Sequence, residues 1–158
     1  DLDPVMVEGT IRNLEWALNA EGRTEHRAMV LAGDATKLTD ALTGLDAPVS
    51  GFVLDPPYGR NSQGSLEPMA LLESVLTSAH EVAIDGAGLV LILPIHPMGE
   101  HPDEPIPSGA DVNLLHGDWQ GIEHALRNAH WSVQNRWVEH VHASLSRLIL
   151  HATAAPQD

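Results

Sequence analysis

Residues 86–96 read GAGLVLILPIH. Five apolar residues, Leu89 to Leu93, stand in a row between glycines and a proline. An unbroken apolar run of that length predicts a buried strand, of the kind that parallel sheets enclose between helices. The rest of the chain supplies matching partners. Val7, Ile11, Leu14 and Leu18 fall at helical spacing, and Pro4 suits a first helical turn, so residues 5–18 predict a helix. Residues 1–3 read as the end of a strand, and 28–31 and 49–54 as strands. A short helix is expected at 37–42 and a longer one at 66–84, with Met69, Leu72, Val75, Leu76 and Ala79 on its apolar side. Residues 97–117 are rich in Pro, Gly and acids and predict a long loop. A helix at 119–129 and two tightly joined antiparallel strands at 131–141 and 145–152 complete the pattern. Alternating strands and helices place the chain in the α/β class with a parallel sheet. Trp16, Trp119, Trp131 and Trp137 are expected to pack between these elements.

The 158 residues suit one domain, and 43% hydrophobic content suits a folded one. The absence of cysteine rules out disulfides and thiolate metal sites and suits a cytoplasmic protein. No apolar run approaches the roughly 20 residues of a membrane span, and the start carries no secretory signal pattern. The first residue is Asp1, as in a processed chain or an excised piece. The formal net charge is −14, with 22 acids against 8 Lys and Arg, and Lys37 is the single lysine. That balance argues against nonspecific binding to nucleic-acid phosphates. It also fits a salt-rich cytoplasm, where screening blunts self-repulsion and the missing basic patch says less about partners. Ten histidines raise the question of a metal, yet none of them forms a set of three or four ligands at standard spacing, so no metal site is expected.

Three predicted strand ends carry an acid: DLD at 1–3, GDAT at 33–36 and DPPYGR at 55–60. In open α/β sheets ligands bind beyond the carboxyl ends of the strands. A carboxylate there accepts bonds from ribose hydroxyls or an adenine amine. For Asp3 and Asp34 the plain alternative is capping of the helix that follows. The third segment, VLDPPYGR at 53–60, is more specific. Two prolines stiffen the backbone and give up two amide donors, and the residue before a proline is pushed towards an extended conformation. A carboxylate and a carbonyl are thereby fixed in space. An exocyclic amine on a base is a poor nucleophile because its lone pair is delocalised into the ring. Acceptors on its hydrogens, here Asp55 and the Pro56 carbonyl, favour the tetrahedral geometry needed to take a methyl group and stabilise the positive charge that develops. Pro57 adds rigidity, and Tyr58 supplies a ring on which a base taken out of its helix can stack.

LDPPYGR resembles the catalytic motif of S-adenosylmethionine-dependent amino methyltransferases. DLDPVMVEGTIRNL is similar to the segment that ends their second strand, and GDAT to their adenine-contacting segment. VHASLSR, residues 141–147, resembles a signature near the end of archaeal and eukaryotic tRNA guanine-10 N2-methyltransferases, with Ala143 in place of a basic residue and Ser146 in place of threonine. The resemblance covers residues 1–153 and leaves 154–158 as a tail. It implies a Rossmann-like class I methyltransferase sheet with helices on both faces and an antiparallel C-terminal strand pair. It further implies methylation of the 2-amino group of a guanine in tRNA, with S-adenosylmethionine as cofactor and tRNA and a small zinc-binding activator subunit as partners. Asp1, with Asp3 as second candidate, would bind the cofactor ribose; Leu2 would pack on the adenine; Asp34 and the Ala35 amide would meet its amine and ring. Asp55 and Pro56 would hold the guanine amine, with Pro57 and Tyr58 completing the catalytic motif. Tyr58, Gly59, Arg60, His142 and Arg147 would approach the RNA.

The family's glycine-rich first motif does not occur in the chain, nor does its N-terminal RNA-binding region with the THUMP domain. The expectation is therefore a partial catalytic domain without its first strand, with exposed sheet edges and poor cofactor binding in isolation. Two other readings stay open: an adenine or DNA amino methyltransferase, which would use the same motif, and a non-catalytic methyltransferase-like scaffold.

Overall fold

The run at 89–93 lies inside a 13-residue strand in the computed structural model of the chain, which describes residues 1–21, 28–45, 48–56, 67–98, 104–107 and 109–156. The elements are α1 (Pro4–Glu21), a 3-10 turn (Ala35–Lys37), α2 (Leu38–Ala41), β1 (Val49–Leu54), α3 (Pro68–Glu81), β2 (Ala83–Ile95), α4 (Trp119–Asn128), β3 (Trp131–His142) and β4 (Leu145–Ala154). Four strands form one sheet in the order β1-β2-β4-β3. β1 runs parallel to β2, while β4 is antiparallel to both β2 and β3. The fold is α/β, and the C-terminal antiparallel pair stands where the sequence places it.

Residue alternation divides the sheet into two faces. Leu89, Leu91, Leu93 and Ile95 of β2 and Leu148, Leu150 and Ala152 of β4 are fully buried. They meet Leu72, Leu76 and Ala79 of α3 and Ile122, Ala125 and Leu126 of α4 in one core. Val90, Ile92 and Pro94, on the other face, are half-buried, and Val53 beside them on β1 is 74% exposed. Trp131 ties strand to helix. Its indole Nε1 donates to the carbonyl of Leu76 at 2.9 Å, and its ring meets Phe52 edge-on at 5.6 Å.

α1 differs from the sequence-based picture in its packing. The helix forms over Pro4–Glu21, yet among the described residues it contributes nothing to the buried core. Trp16 is 74% exposed and so does not pack as expected, whereas Trp131 is buried and Trp119 and Trp137 are half-buried. Periodicity reports which face of a helix is apolar and is silent on what covers it. Residues 1–3 and 28–31, expected to be strand, form no named strand. They are nevertheless joined: the Asp1 nitrogen donates to Leu31 O at 3.2 Å, and Gly33 N donates to Asp1 O at 3.0 Å, the slanted pair of bonds that defines a parallel ladder.

The predicted loop at 97–117 has no helix or named strand in its described part, but it is pinned to the body. Leu114 bridges Ile95, and Val112 and Leu114 are buried in the core. The pin is Arg136 of β3, only 2% exposed. Its guanidinium lies 4.4 Å from the centre of the Trp119 ring, and its Nη2 donates to the carbonyls of Pro107 at 2.6 Å and Ala110 at 3.3 Å. Ile106 N also donates to the backbone carbonyl of Arg136 at 2.8 Å. Burial pulls the Arg136 pKa below the ordinary arginine value, against the opposing charge of Glu123.

Two outcomes follow from this packing. Leu91→Ala should lower unfolding free energy by about 2–5 kcal/mol, through lost burial and the cavity left behind, while Val53→Thr should stay within about 0.5 kcal/mol in the same denaturant titration. Arg136→Ala should cost about 2–4 kcal/mol, since charged hydrogen bonds and the ring contact go together. Hydrogen–deuterium exchange should then rise first in the amides of residues 104–115.

Candidate active site

The site begins where β1 ends. Leu54 pairs with Leu91, and Phe52 and Leu54 turn towards the core. Alternation puts Val53 on the opposite face, and Asp55, the next residue but one, follows it. Its carboxylate is thus presented at the carboxyl end of a parallel strand, exposed, with Pro56 half-buried behind it. Arg147 reaches the same place from β4. Its neighbours Ser146 and Leu148 are buried in the core, so Arg147 projects from the other face, like Asp55. In the ladders Arg147 stands opposite Pro94 of β2 and Glu139 of β3. Its Nη2 lies 3.9 Å from Oδ2 of Asp55, with both side chains about half exposed (47% and 55%).

A second group of candidate residues lies where residues 1–3 meet residues 31–34. Asp3 caps α1: its Oδ1 accepts from Val5 N at 2.8 Å. Asp1 Oδ1 accepts from Asp3 N at 2.9 Å. Asp34 caps the 3-10 turn that begins at Ala35, accepting from Thr36 N at 2.9 Å and Thr36 Oγ1 at 2.8 Å, both through Oδ1. The Thr36 amide, and then its hydroxyl, hold the Asp34 carboxyl below its ordinary value. Gly33 allows the close approach that sets this turn, because a Cβ there would lie 2.9 Å from the Ala41 Cβ. The capping alternative is thus what the structure shows for Asp3 and Asp34. It does not use up the acceptors: Oδ2 of Asp34 takes no hydrogen bond among the described residues. Leu2 is exposed beside Asp1. The two hydrogen-bonded segments thus carry three carboxylates and an exposed apolar side chain.

His142 lies at the end of β3, exposed, with its Nδ1 3.1 Å from Ser144 Oγ and 3.3 Å from Ser144 N. Pro57, Tyr58, Gly59 and Arg60 lie outside the described residues. Among the described residues no three His, Asp or Glu side chains gather in a way that could hold a metal. No described helix is long and apolar enough to cross a membrane. Sequence reasoning missed the contact between Arg147 and Asp55, for it connects positions far apart in the chain. It also missed Arg136, which stands among the polar residues of the mixed strand WSVQNRWVEHVH and gives no local signal of burial.

No protein-family model matches the chain, and no curated protein matches it by sequence. Solved structures do. A SAM-dependent methyltransferase from Methanosarcina mazei superposes with a TM-score of 0.61 at 11% identity, over 99% of this chain and 81% of the other. TrmN from Thermus thermophilus gives 0.53 at 16% identity, over 97% of this chain and 35% of TrmN. A putative DNA modification methylase, also from Thermus thermophilus, gives 0.50 at 20% identity, over 80% of this chain. The chain spans 53% of that methylase's length, about half. At such identities the likeness is one of fold. The sheet and helices are arranged as in Rossmann-like SAM-dependent methyltransferases.

The Asp34 cap carries a pH signature. Its folded-state pKa is lowered below the ordinary 3.8, so the ionised carboxylate stabilises the fold at pH above that value. That contribution should fade as pH falls through the lower, folded-state pKa. Stability of Asp34→Asn relative to the parent, followed by thermal melting from pH 7 downward, should show a deficit at neutral pH that closes in acid.

Proposed function

We propose that this chain belongs to the catalytic domain of a SAM-dependent methyltransferase that methylates the exocyclic 2-amino group of a guanine in tRNA. The observation that carries the reading is Asp55, an exposed carboxylate at the carboxyl end of β1 with Pro56 next to it, in a sheet of methyltransferase type. When bound, S-adenosylmethionine would supply an electrophilic methyl group on a sulfonium, together with a neutral thioether leaving group. The chain's part is to hold the acceptor. Asp55 and the Pro56 carbonyl accept the two amine hydrogens, which turns the nitrogen lone pair out of conjugation and towards the methyl carbon. Asp55 would take up the proton that the amine loses. No covalent protein intermediate is needed. Asp1, Leu2, Asp3, Asp34 and Ala35 are the candidates for the adenosine side, and Tyr58 for stacking on the guanine.

A second reading, amino methylation of a DNA base, draws support from the likeness to the DNA modification methylase. The acceptor geometry serves either base, so the product nucleoside, identified by mass spectrometry, separates the two.

Asp55→Ala in the full-length protein should abolish methyl transfer to tRNA, with a loss of at least about a hundredfold, while cofactor affinity measured by calorimetry changes little. Parallel loss of binding and rate would point to a folding defect and against this role for Asp55.

A further inference from the structure

The resemblance hands Arg147 to the RNA, but its position points elsewhere. Arg147 projects from the same sheet face as Asp55, and it reaches across β2 towards that carboxylate. Its cross-strand neighbour on β3 is a second carboxylate, Glu139. Of the two acids it is Asp55 that comes within ion-pair distance, its Oδ2 3.9 Å from Nη2. An arginine carries a fixed charge and a planar fork of donors that matches a carboxylate. Among the described residues Asp55 has little else to fix it: it sits just past the last strand residue, exposed, and is restrained on one side by Pro56.

We propose that Arg147 is a positioning residue for Asp55. It keeps one carboxylate oxygen, Oδ2, turned towards β4, so that the other is the one offered to the substrate amine. This rests on the reading of Asp55 as the amine acceptor. The arrangement gives the C-terminal VHASLSR segment a task in the chemical step: β4 brings Arg147 to the end of β1 because β2, between them, pairs with both strands.

The test uses Arg147→Met and Arg147→Lys, with Asp55→Ala as reference, in the full-length protein acting on tRNA. Two readouts are needed: steady-state kinetics at several salt concentrations, and the side-chain carboxyl carbon resonance of Asp55 at neutral pH. Arg147→Met should lower kcat about tenfold with KM for tRNA and its salt dependence unchanged, since a slightly misaimed acceptor slows the chemical step and not binding. The Asp55 resonance should move in the same variant. Arg147→Lys should recover part of both, because the charge remains while the fork is lost. A raised KM and a shallower salt dependence, with kcat and the Asp55 resonance unmoved, would overturn the proposal and return Arg147 to the RNA. If Asp55→Ala keeps the full rate, the reading of Asp55 as acceptor falls. The resonance would still decide whether Arg147 holds this carboxylate, and an unmoved resonance would overturn that too.

Discussion

Burial of one face of β2 is the constraint on which the remaining structure depends. Leu89, Leu91, Leu93 and Ile95 are each removed from water, and they hold α3 and α4 against the sheet. At about 25 cal/mol per Å² of apolar surface, each such side chain contributes on the order of 2 kcal/mol. β2 also sets the relative positions of everything at the site. β1 pairs with it in parallel and β4 antiparallel, so the carboxyl end of β1 and the start of β4 come to the same end of the sheet. That is how residues 55 and 147 become neighbours. A slip of one residue in either ladder would turn Asp55 or Arg147 to the opposite face.

The acids at the strand ends do two kinds of work. Asp3 and Asp34 spend one oxygen each on the backbone of the turn or helix that follows. Capping and ligand recognition need not compete, because a carboxylate has two oxygens and several lone pairs. A rigid cap even favours recognition, since it fixes the direction in which the second oxygen points. Asp55 is different: both residues after it are prolines, so the i+2 amide that Asp3 and Asp34 accept from is missing, and its neighbour in space is the Arg147 guanidinium. All three acids stand at predicted strand ends, and the sequence already sets Asp55 apart by its two prolines; the structure adds its arginine neighbour.

Much of the fold was legible because its signals are local. The unbroken apolar run marked β2, helical spacing of Met69, Leu72, Val75, Leu76 and Ala79 marked α3, and the joined pair at 131–154 was readable from two strand patterns with a short turn. Failures came where a pattern depends on its cover. The apolar face of α1 and Trp16 were read as packing residues, yet Trp16 is exposed. The 97–117 segment read as a plain loop, yet Val112 and Leu114 enter the core and Arg136 clamps its backbone from β3. None of these contacts joins neighbours in sequence, so no local pattern encodes them.

By itself, the sequence determined the class of the fold, the strand that carries its core, and the motif that places a carboxylate and a carbonyl at a strand end. Periodicity and proline stereochemistry are short-range properties and survive without a partner. Tertiary structure alone decided that Asp1 and Gly33 are hydrogen-bonded, that Arg136 is buried against Trp119, and that Arg147 faces Asp55. Each of these rests on strand order and register, which arise only when segments tens of residues apart are buried together.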